Sequence, residues 1–469
     1  MSGDPLQAAV DAGGEQAWLV GGAVRDRLLG RPTSDYDVVV AGEPAPLARA
    51  VADRAAGHAF ELSEAFGAWR VVARDHSWQL DVLGLGSGTL AQDLARRDLT
   101  VNAIAQPLSP GEAAAIDPFD GIADLRARRL RMVSPTSFAD DALRVLRLAR
   151  LSAQLGFAAD AATVARARAS APGLSAVAPE RTFAELRSLL CASDALAGLA
   201  LMDELGATSA VLPELAALHG VAQSEYHHLD VYGHTSAVLA ETIALVEDPA
   251  RLGLAADLEA ALAAALARPL ANELTRGQAL RIGALLHDIA KPRTRAVIGE
   301  GRVTFMGHDA LGAELTREIL GRLRTAERLR VHVAALTRHH LRLGFLVHEM
   351  PLSRRAVYDY LDRCAPVGVD VTVLSVADRL ATRGRNSERA IARHLELARA
   401  MIGDALAFEA DPPRSPLRGD ELSDALGIAP GPQLGALLGE LTAAAFTGEA
   451  AGREQAVALA RTLIASGRV

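Results

Sequence analysis

The chain is poor in cysteine, aromatics and lysine. Its two cysteines, Cys191 and Cys364, stand alone in 469 residues, which argues against a disulfide framework or a cysteine-ligated zinc site. No uncharged apolar run reaches the roughly 18 residues that a membrane span needs, and the chain opens on no basic-then-apolar leader. These absences lead to the expectation of a soluble cytoplasmic protein with no membrane partner. Aromatics make up only 4% of residues, while Ala and Leu dominate, and that composition favours helices. The sharpest shortage is lysine: of 49 Lys and Arg residues, Lys291 is the single lysine.

Half the residues are hydrophobic, so a sizeable core is available, and the length suggests two to four domains. The formal net charge of −8 counts against a uniformly basic nucleic-acid binder. Distribution matters more. Between Arg126 and Arg150 stand seven Arg against two Asp.

Residues 1 to about 120 mix short β-like runs, Trp18–Val20, Tyr36–Ala41, Trp69–Ala73 and Trp78–Leu83, with helical stretches such as Pro46–Ala56. That alternation predicts a small α/β domain. From about Gly121 helical periodicity takes over. Pro-rich residues 411–416 (DPPRSP) mark a linker, beyond which a tail of two or three helices turns at Gly427 to Gly435.

Three stretches of the first part carry chemistry. In residues 18–40 a short apolar run meets Gly21-Gly22, a helical turn bearing Arg25 follows, and Asp35-Tyr36-Asp37 opens a strand. Glycines admit close approach to a phosphate, and a helix start offers free N–H groups. Carboxylates at i and i+2 on a strand share one face and can hold Mg²⁺ together with substrate phosphates. Asp81, in the strand-like run Gln79 to Val82, is a candidate third carboxylate, with a solvent-facing strand position the alternative. Residues 93–105 gather Arg96, Arg97, Asp98 and Asn102; Arg suits a triphosphate because its fork binds oxygens bidentately. In residues 138–150, Asp141 and Arg144 are neighbours at i, i+3 of an amphipathic helix, with Arg147 and Arg150 continuing the step. An ordinary salt-bridged helix face is the commoner fate of such a pattern.

In order, LVGGAVRDRLLG (19–30), DYD (35–37), RRDLTVNA (96–103), DPFDGIADL (117–125) and DDALRVLR (140–147) resemble the class II tRNA nucleotidyltransferases, the CCA-adding enzymes and related poly(A) polymerases. The likeness runs to about residue 215 through PERTFAELRSLL (179–190) and LGATSAVLPEL (205–215). It implies an enzyme in which Asp35 and Asp37 hold catalytic Mg²⁺. Gly22 and Arg25 would contact the incoming nucleotide, beside Gly21. Arg97 and Asp98 fall in the motif that holds ribose and phosphates, with Asn102 nearby. Asp141 and Arg144 would read the base edge of CTP or ATP, with Arg147 and Arg150 supporting them. The reaction implied is two-metal, template-independent transfer to a tRNA 3′ end. Two departures stand out. Asp140-Asp141 replaces the family's usual Glu-Asp, and the stretch between Asp81 and Asp93 is short, as it also is in relatives that add only CC or only A. Full CCA addition, CC-only addition and A-only addition therefore stay open.

In the helical half, His234, His287-Asp288 and Asp378 follow the order of the HD metal-dependent phosphohydrolases. His and carboxylate ligands suit a divalent transition metal. Adjacent His287 and Asp288 can converge on one ion if a helix end points into the site. His308, His339 and His340 are candidates for a second metal site. Lys291, three residues after Asp288, suggests a place where Arg will not serve, because Lys is a compact charge able to give up a proton; chance placement of the one lysine is the alternative. His227 and His228 read as a loop pair. His58, His76, His219, His332, His348 and His394 are assigned no role.

The expected fold is α+β: a small α/β nucleotidyltransferase head (1–125), then an elongated all-helical neck that grips RNA (126–215), an HD domain (216–410) and a helical tail (411–469). tRNA, CTP and ATP are the expected partners. The rival readings are a poly(A) polymerase, an HD phosphohydrolase whose head only binds RNA or nucleotide, and a non-catalytic RNA-binding protein.

Overall fold

The computed structural model describes residues 3–12, 16–63, 67–111, 113–223, 228–299, 301–383 and 387–469. His227 lies outside them. Contacts divide the chain into two units, Met1–Val211 and Leu212–Val469.

The first unit is built on one mixed sheet. Its strands are β1 (Ala17–Val20), β2 (Asp35–Val40), β3 (Gly57–Ser63), β4 (Ala68–Ala73), β5 (Gln79–Gly84) and β6 (Ala105–Pro107), in the order β3-β4-β5-β2-β1-β6. Four strands fall within about a residue of the predicted runs. β3 and β6 were not anticipated. Both are edge strands: β3 is largely solvent-facing, and β6 is three residues ending in Pro107, so neither carries a buried apolar run.

β2 is central, and it fixes the site. It pairs antiparallel with β1, placing Val20 opposite Asp37, and parallel with β5, placing Asp37 beside Asp81. Val38, Val39 and Val40 are buried while Asp35 is exposed. The strand thus anchors itself at its C-terminal end and offers carboxylates at its start. Because β1 runs the other way, its end delivers Gly21 to the same place. Helix α1 (Gly22–Leu28) follows at once, α2 (Pro44–Arg54) packs on β3 and β4, and α3 (Leu90–Ala95) opens with a Thr89 capping box. The connection from β5 to α3 is short, residues 85–89.

Then come α4 (Ser137–Asp140), α5 (Arg144–Leu155) and α6 (Pro179–Leu190). Here an expectation fails: Asp141 is not on the Arg144 helix. Its backbone is extended (φ −149°, ψ 105°) between α4 and α5, so the i, i+3 relation of one helix does not hold.

The second unit is helical, apart from short two- and three-residue strands: α7 (Val231–Glu247), α8 (Arg276–Leu286), α9 (His308–Arg322), α10 (Glu327–His339), α11 (Gly368–Ala381) and α12 (Ser387–Ala410) among others. Every residue of α8 except Gln278 is buried, as expected for the central helix of a bundle. Gly283 permits close packing. A Cβ there would sit 2.7 Å from Leu336 on α10, so the ends of α8 and α10 come close. The tail closes a small core of its own around Leu422, Leu437 and Leu441. No described helix is long and apolar enough to cross a membrane.

Candidate active sites

Gly21 turns the chain with φ +74°, a conformation that costs a residue with a Cβ. A Cβ at this position would lie 2.6 Å from Arg97 Nη1 and 3.5 Å from Asp37 Oδ2. The glycine therefore lets Arg97 lie over the turn beside the carboxylates. Arg97 is oriented by Asp93, 3.0 Å away one helical turn earlier.

Asp35 and Asp37 share a face of β2, as the two-residue period requires. Burial pushes the Asp37 carboxyl up to about 6. The Arg97 guanidinium opposes the shift, and the charges of Asp35 and Asp81 add to it. Asp81 does not line the cavity described below; Arg70 grips it with two 2.7 Å hydrogen bonds. The crowded carboxylates of Asp35 and Asp37 are a fit donor set for Mg²⁺, which takes one or two carboxylates and keeps room for phosphates.

Behind them sits a buried relay. Asp98 accepts from the Leu99 N–H (2.8 Å), Asn102 Nδ2 (3.0 Å) and Arg147 Nε (2.8 Å). Asn102 in turn accepts from Arg25 Nη1 at 2.7 Å. Burial would raise the Asp98 carboxyl, but Arg147 and these hydrogen bonds hold it far below the usual carboxylate range. Arg25, Asn102 and Asp98 thus form a buried scaffold that aims Arg147. The other end of Arg147 approaches Glu185 (3.5 Å), which also takes Arg150 at 2.6 Å. Arg144 donates to the carbonyls of Ser137 (3.0 Å) and Arg96 (2.6 Å). Asp141 accepts from the Leu143 N–H and from Arg181 Nη2 at 2.8 Å. Asp140 turns to Thr136, 3.0 Å away.

The candidate catalytic and nucleotide-binding residues of the first unit, Gly21, Gly22, Arg25, Asp35, Asp37, Arg97, Asp98, Asn102, Asp141, Arg144, Arg147 and Arg150, line one cavity of about 500 Å³, and Asp81 does not. Its walls carry seven Arg and six Asp, whereas acids outnumber bases 57 to 49 in the whole chain. Among the residues that sequence reasoning missed, Arg181 lines the cavity and Glu185 ties down two of its arginines. Both come from α6, inside the stretch PERTFAELRSLL (179–190), whose likeness to the family assigned neither of them a role.

The second unit holds another site. His287 follows the last residue of α8, so it and Asp288 leave the helix end toward the same centre. His287 Nε2 lies 3.1 Å from Asp288 Oδ2, and both atoms are buried without a hydrogen bond of acceptable geometry. His234 Nε2 stands 3.6 Å from Asp288 and 3.1 Å from Asp378. His308 and His340 approach the other Asp288 oxygen at 3.4 and 3.8 Å. Two ligand groups therefore share Asp288: His234 with His287, and His308 with His340. His287, His308 and His340 each direct Nδ1 to a backbone carbonyl, of Ala284, Phe305 and Thr337 respectively. Such a contact fixes the tautomer and leaves Nε2 as ligand.

Burial pushes His340 down to about 4, keeping it neutral as a ligand must be. Burial would lower His287 too, but the Asp288 charge outweighs it and the net shift is upward. The buried imidazole nitrogens and carboxylate oxygens that converge here fit a divalent transition metal. Lys291 Nζ reaches Asp288 Oδ2 at 2.6 Å and Gln223 Oε1 at 2.7 Å. His339 does not join the cluster. It is one residue from His340, about 100° around the helix, and its Nδ1 accepts from Arg342 at 2.8 Å. His348 and His394, assigned no role from sequence, line the adjoining cavity of about 1000 Å³ with Arg389 and Arg393. His228 is exposed.

A mixed sheet with a glycine turn facing paired carboxylates, walled by arginines, defines a nucleotidyltransferase head; a helical HD bundle follows it. Residues 17–131 match the poly A polymerase head domain. Residues 156–218 match the probable RNA and SrmB-binding site of polymerase A, and 259–383 the HD domain. His234 precedes that last match. The chain belongs to the tRNA nucleotidyltransferase family. It is 36% identical over 439 residues to the A-adding tRNA nucleotidyltransferase of Deinococcus radiodurans, covering 92% of each chain. It is 34% identical to the CC-adding tRNA nucleotidyltransferase of Thermus thermophilus, covering 94% of this chain and 92% of that one. The multifunctional CCA protein of Xanthomonas campestris is 32% identical, covering 88% and 96%. Among solved structures, a CCA-adding enzyme with ATP has a TM-score of 0.64 at 18% identity, covering 98% of this chain and 94% of that one, which speaks to the fold.

Proposed function

We propose that this enzyme adds C and A nucleotides to tRNA 3′ ends from CTP and ATP without a nucleic-acid template. The observation that carries the reading is the single cavity shared by Asp35, Asp37, Asp141 and Arg144, which joins a metal-type carboxylate pair to a donor and acceptor pair suited to a base edge. Two Mg²⁺ ions held by Asp35 and Asp37 would, when bound, activate the RNA 3′-hydroxyl and offset charge on the transferred phosphoryl group. The chain's own residues supply position. Arg97 lies over the glycine turn to meet triphosphate oxygens. The Asp98 relay holds Arg147 toward them. Arg144 is steadied by two carbonyls, so its remaining N–H groups can address a base. Positioning and charge do most of the work in such transfers, and no nucleophilic side chain is required.

A second reading, CC-only or A-only addition, is favoured by the short 85–89 connection and by whole-length similarity to an A-adding and a CC-adding relative. One assay decides. tRNA lacking its terminal nucleotides is incubated with Mg²⁺ and labelled CTP or ATP, singly and together. Two C followed by one A is the expected product. Stopping after two C, or accepting A only on a CC end, establishes the narrower activity. Long A tails, or no incorporation, overturn the proposal. Asp35→Ala and Asp37→Ala should abolish incorporation.

The second site supports a separate phosphoester hydrolysis. His234, His287, Asp288 and Asp378 would hold a divalent transition metal, with His308 and His340 completing a second position. The metal, when bound, would supply a nucleophilic hydroxide and polarise the phosphoryl oxygens. Lys291 places a compact, buried cation beside Asp288. Phosphate release that depends on added Mn²⁺, Co²⁺ or Ni²⁺ and disappears in His287→Ala, with incorporation intact, is the expected result. Loss of both activities together would overturn the two-site reading.

A further inference from the structure

The cavity beside the Asp288 centre holds cations that nothing in the protein neutralises. Its volume is about 1000 Å³, at the upper end of the roughly 300–1000 Å³ of small-molecule sites, and a lone phosphate fills little of it. Asp288 and Asp378 of the metal set stand in it. So do Arg379, near the end of α11, and Arg389 and Arg393, one turn apart on α12. Arg379 donates to the Thr382 carbonyl at 3.2 Å, and its Nε is buried without a partner. Arg393 donates to the Val347 carbonyl at 3.0 Å. Among the described residues no carboxylate stands within ion-pair distance of any of the three. The other charged groups lining the cavity are committed, Lys291 to Asp288 and Asp309 to Arg338. The arginines of the first unit's cavity are likewise tied down, Arg97 by Asp93 and Arg147 by Asp98.

The same cavity has an apolar rim. Met306 is 84% exposed and Phe345 68%. They are the two most exposed large apolar side chains among the described residues, and both line this cavity. Unpaired arginines beside exposed apolar groups suit a ligand that is anionic at one place and flat and apolar at another. A simple ester with one phosphate at the metal set would leave Arg389 and Arg393 without use. A nucleotide with a phosphate on each side of its sugar would occupy both places. Arginine forks bind phosphate oxygens bidentately, and an exposed aromatic ring stacks on any base.

We infer that the second site binds a nucleoside flanked by two phosphates, one at the Asp288 metal set and the other on Arg389 and Arg393, with the base against Phe345. This rests on the reading that the metal set takes a phosphoester. A free nucleoside bisphosphate and the phosphorylated end of an RNA strand share this chemistry.

The test measures Kd on Mn²⁺-loaded full-length protein with analogues that cannot be hydrolysed, in which methylenephosphonate replaces phosphate. The probes are the analogues of adenosine 3′-monophosphate, adenosine 3′,5′-bisphosphate and ApA 3′-phosphate. The first cavity contributes equally to wild type and variants, so differences between them report the second site. Arg389, Arg393 and Phe345 are exposed, so their variants should fold. Arg317→Ala, which breaks an exposed pair with Glu327 outside the cavity, controls for the loss of a surface arginine. In wild type the bisphosphate analogue should bind about tenfold or more tighter than the monophosphate analogue. The double variant Arg389→Ala/Arg393→Ala should remove that ratio, and Arg317→Ala should keep it. Phe345→Ala should weaken both analogues by about tenfold, and Phe345→Tyr should not. A ratio unchanged in the double variant overturns the inference, and unchanged binding in Phe345→Ala overturns its base contact. Tighter binding of the dinucleotide than of the bisphosphate supports a strand end as the ligand; equal or weaker binding supports the free bisphosphate. Mn²⁺-dependent phosphate release from p-nitrophenyl phosphate tests the hydrolytic reading separately. Its absence, with the arginine-dependent ratio kept, removes that reading and supports two-phosphate binding.

Discussion

Lys291 Nζ lies 2.6 Å from Asp288 Oδ2, so the single lysine of the chain is spent on the carboxylate that both histidine pairs share. Both residues are buried. The charges of His287 and Lys291 hold Asp288 well below the usual carboxylate range in spite of its burial. Lys291→Met removes one partner of a buried pair, which typically costs about 3 kcal/mol. Lys291→Arg should not rescue it, because the longer planar fork cannot take the same compact position. The expected outcome is a lower Tm and loss of metal-dependent phosphate release in both variants, with nucleotide incorporation retained. Hydrolysis at the wild-type rate in Lys291→Arg would show that any cation suffices.

Metal binding to the His234, His287, Asp288 and Asp378 set should read out as stability. A ligand bound only by the folded state adds about 2.7 kcal/mol at a hundredfold excess over Kd. Addition of Mn²⁺, Co²⁺ or Ni²⁺ to chelator-treated protein should therefore raise Tm, and Asp288→Asn should abolish the rise because the shared ligand is gone. An equal rise in Asp288→Asn would place the metal elsewhere.

Asp37 predicts a pH dependence. Its folded-state value of about 6 stands above the roughly 3.9 of a free Asp. Between those values the folded state binds more protons than the unfolded state, so this group makes stability fall as pH rises from about 4 to about 6. Thermal unfolding with chelator across that window should show a decline that is absent in Asp37→Asn. Mg²⁺ should reduce the decline by replacing the proton on the carboxylate. A wild-type profile parallel to that of Asp37→Asn would refute the cause given for the shift.

Asp98 has the opposite sign. Its depressed value means that it stabilises the fold above the unfolded value near 3.9, and the contribution is lost as pH falls through and below that value. Asp98→Ala strips acceptors from Arg147, Asn102 and the Leu99 N–H together, at a cost of about 1–3 kcal/mol. KM for CTP and for ATP should rise alike if the relay steadies Arg147 toward the phosphates, as proposed, and not the groups proposed to read the base. A change confined to one nucleotide would contradict that division.

What could be read from the chain follows the range of each constraint. Asp35 and Asp37 were legible because a strand's two-residue period fixes their shared face, and Lys291 because one lysine among many arginines shows in composition alone. The partners of Arg181 and Glu185 are not legible, although both stand in the quoted stretch 179–190, since α6 meets α5 through tertiary packing about forty residues along the chain. His339 misled because it adjoins His340 in sequence, but one residue of helix turns it out of the cluster. The i, i+3 relation expected of Asp141 and Arg144 needs a continuous helix, and the break before α5 removes it.

Gly21→Ala tests the turn on which the head cavity depends. The substitution meets two penalties at once. A residue with a Cβ at φ +74° costs about 1–2 kcal/mol, and the new Cβ lies 2.6 Å from Arg97 Nη1, so Arg97 must leave its place over the carboxylates. Stability alone would lower the amount of folded enzyme without changing its kinetics. Displacement of Arg97 instead lowers incorporation per folded molecule, by about tenfold for the loss of one well-placed charge contact, and does so for CTP and ATP equally because the phosphates are common to both. Arg97→Ala should reproduce that kinetic loss without the drop in Tm, and the double variant should be no slower than Gly21→Ala. Additive kinetic losses in the double variant would mean that the glycine acts on the site by a route other than Arg97.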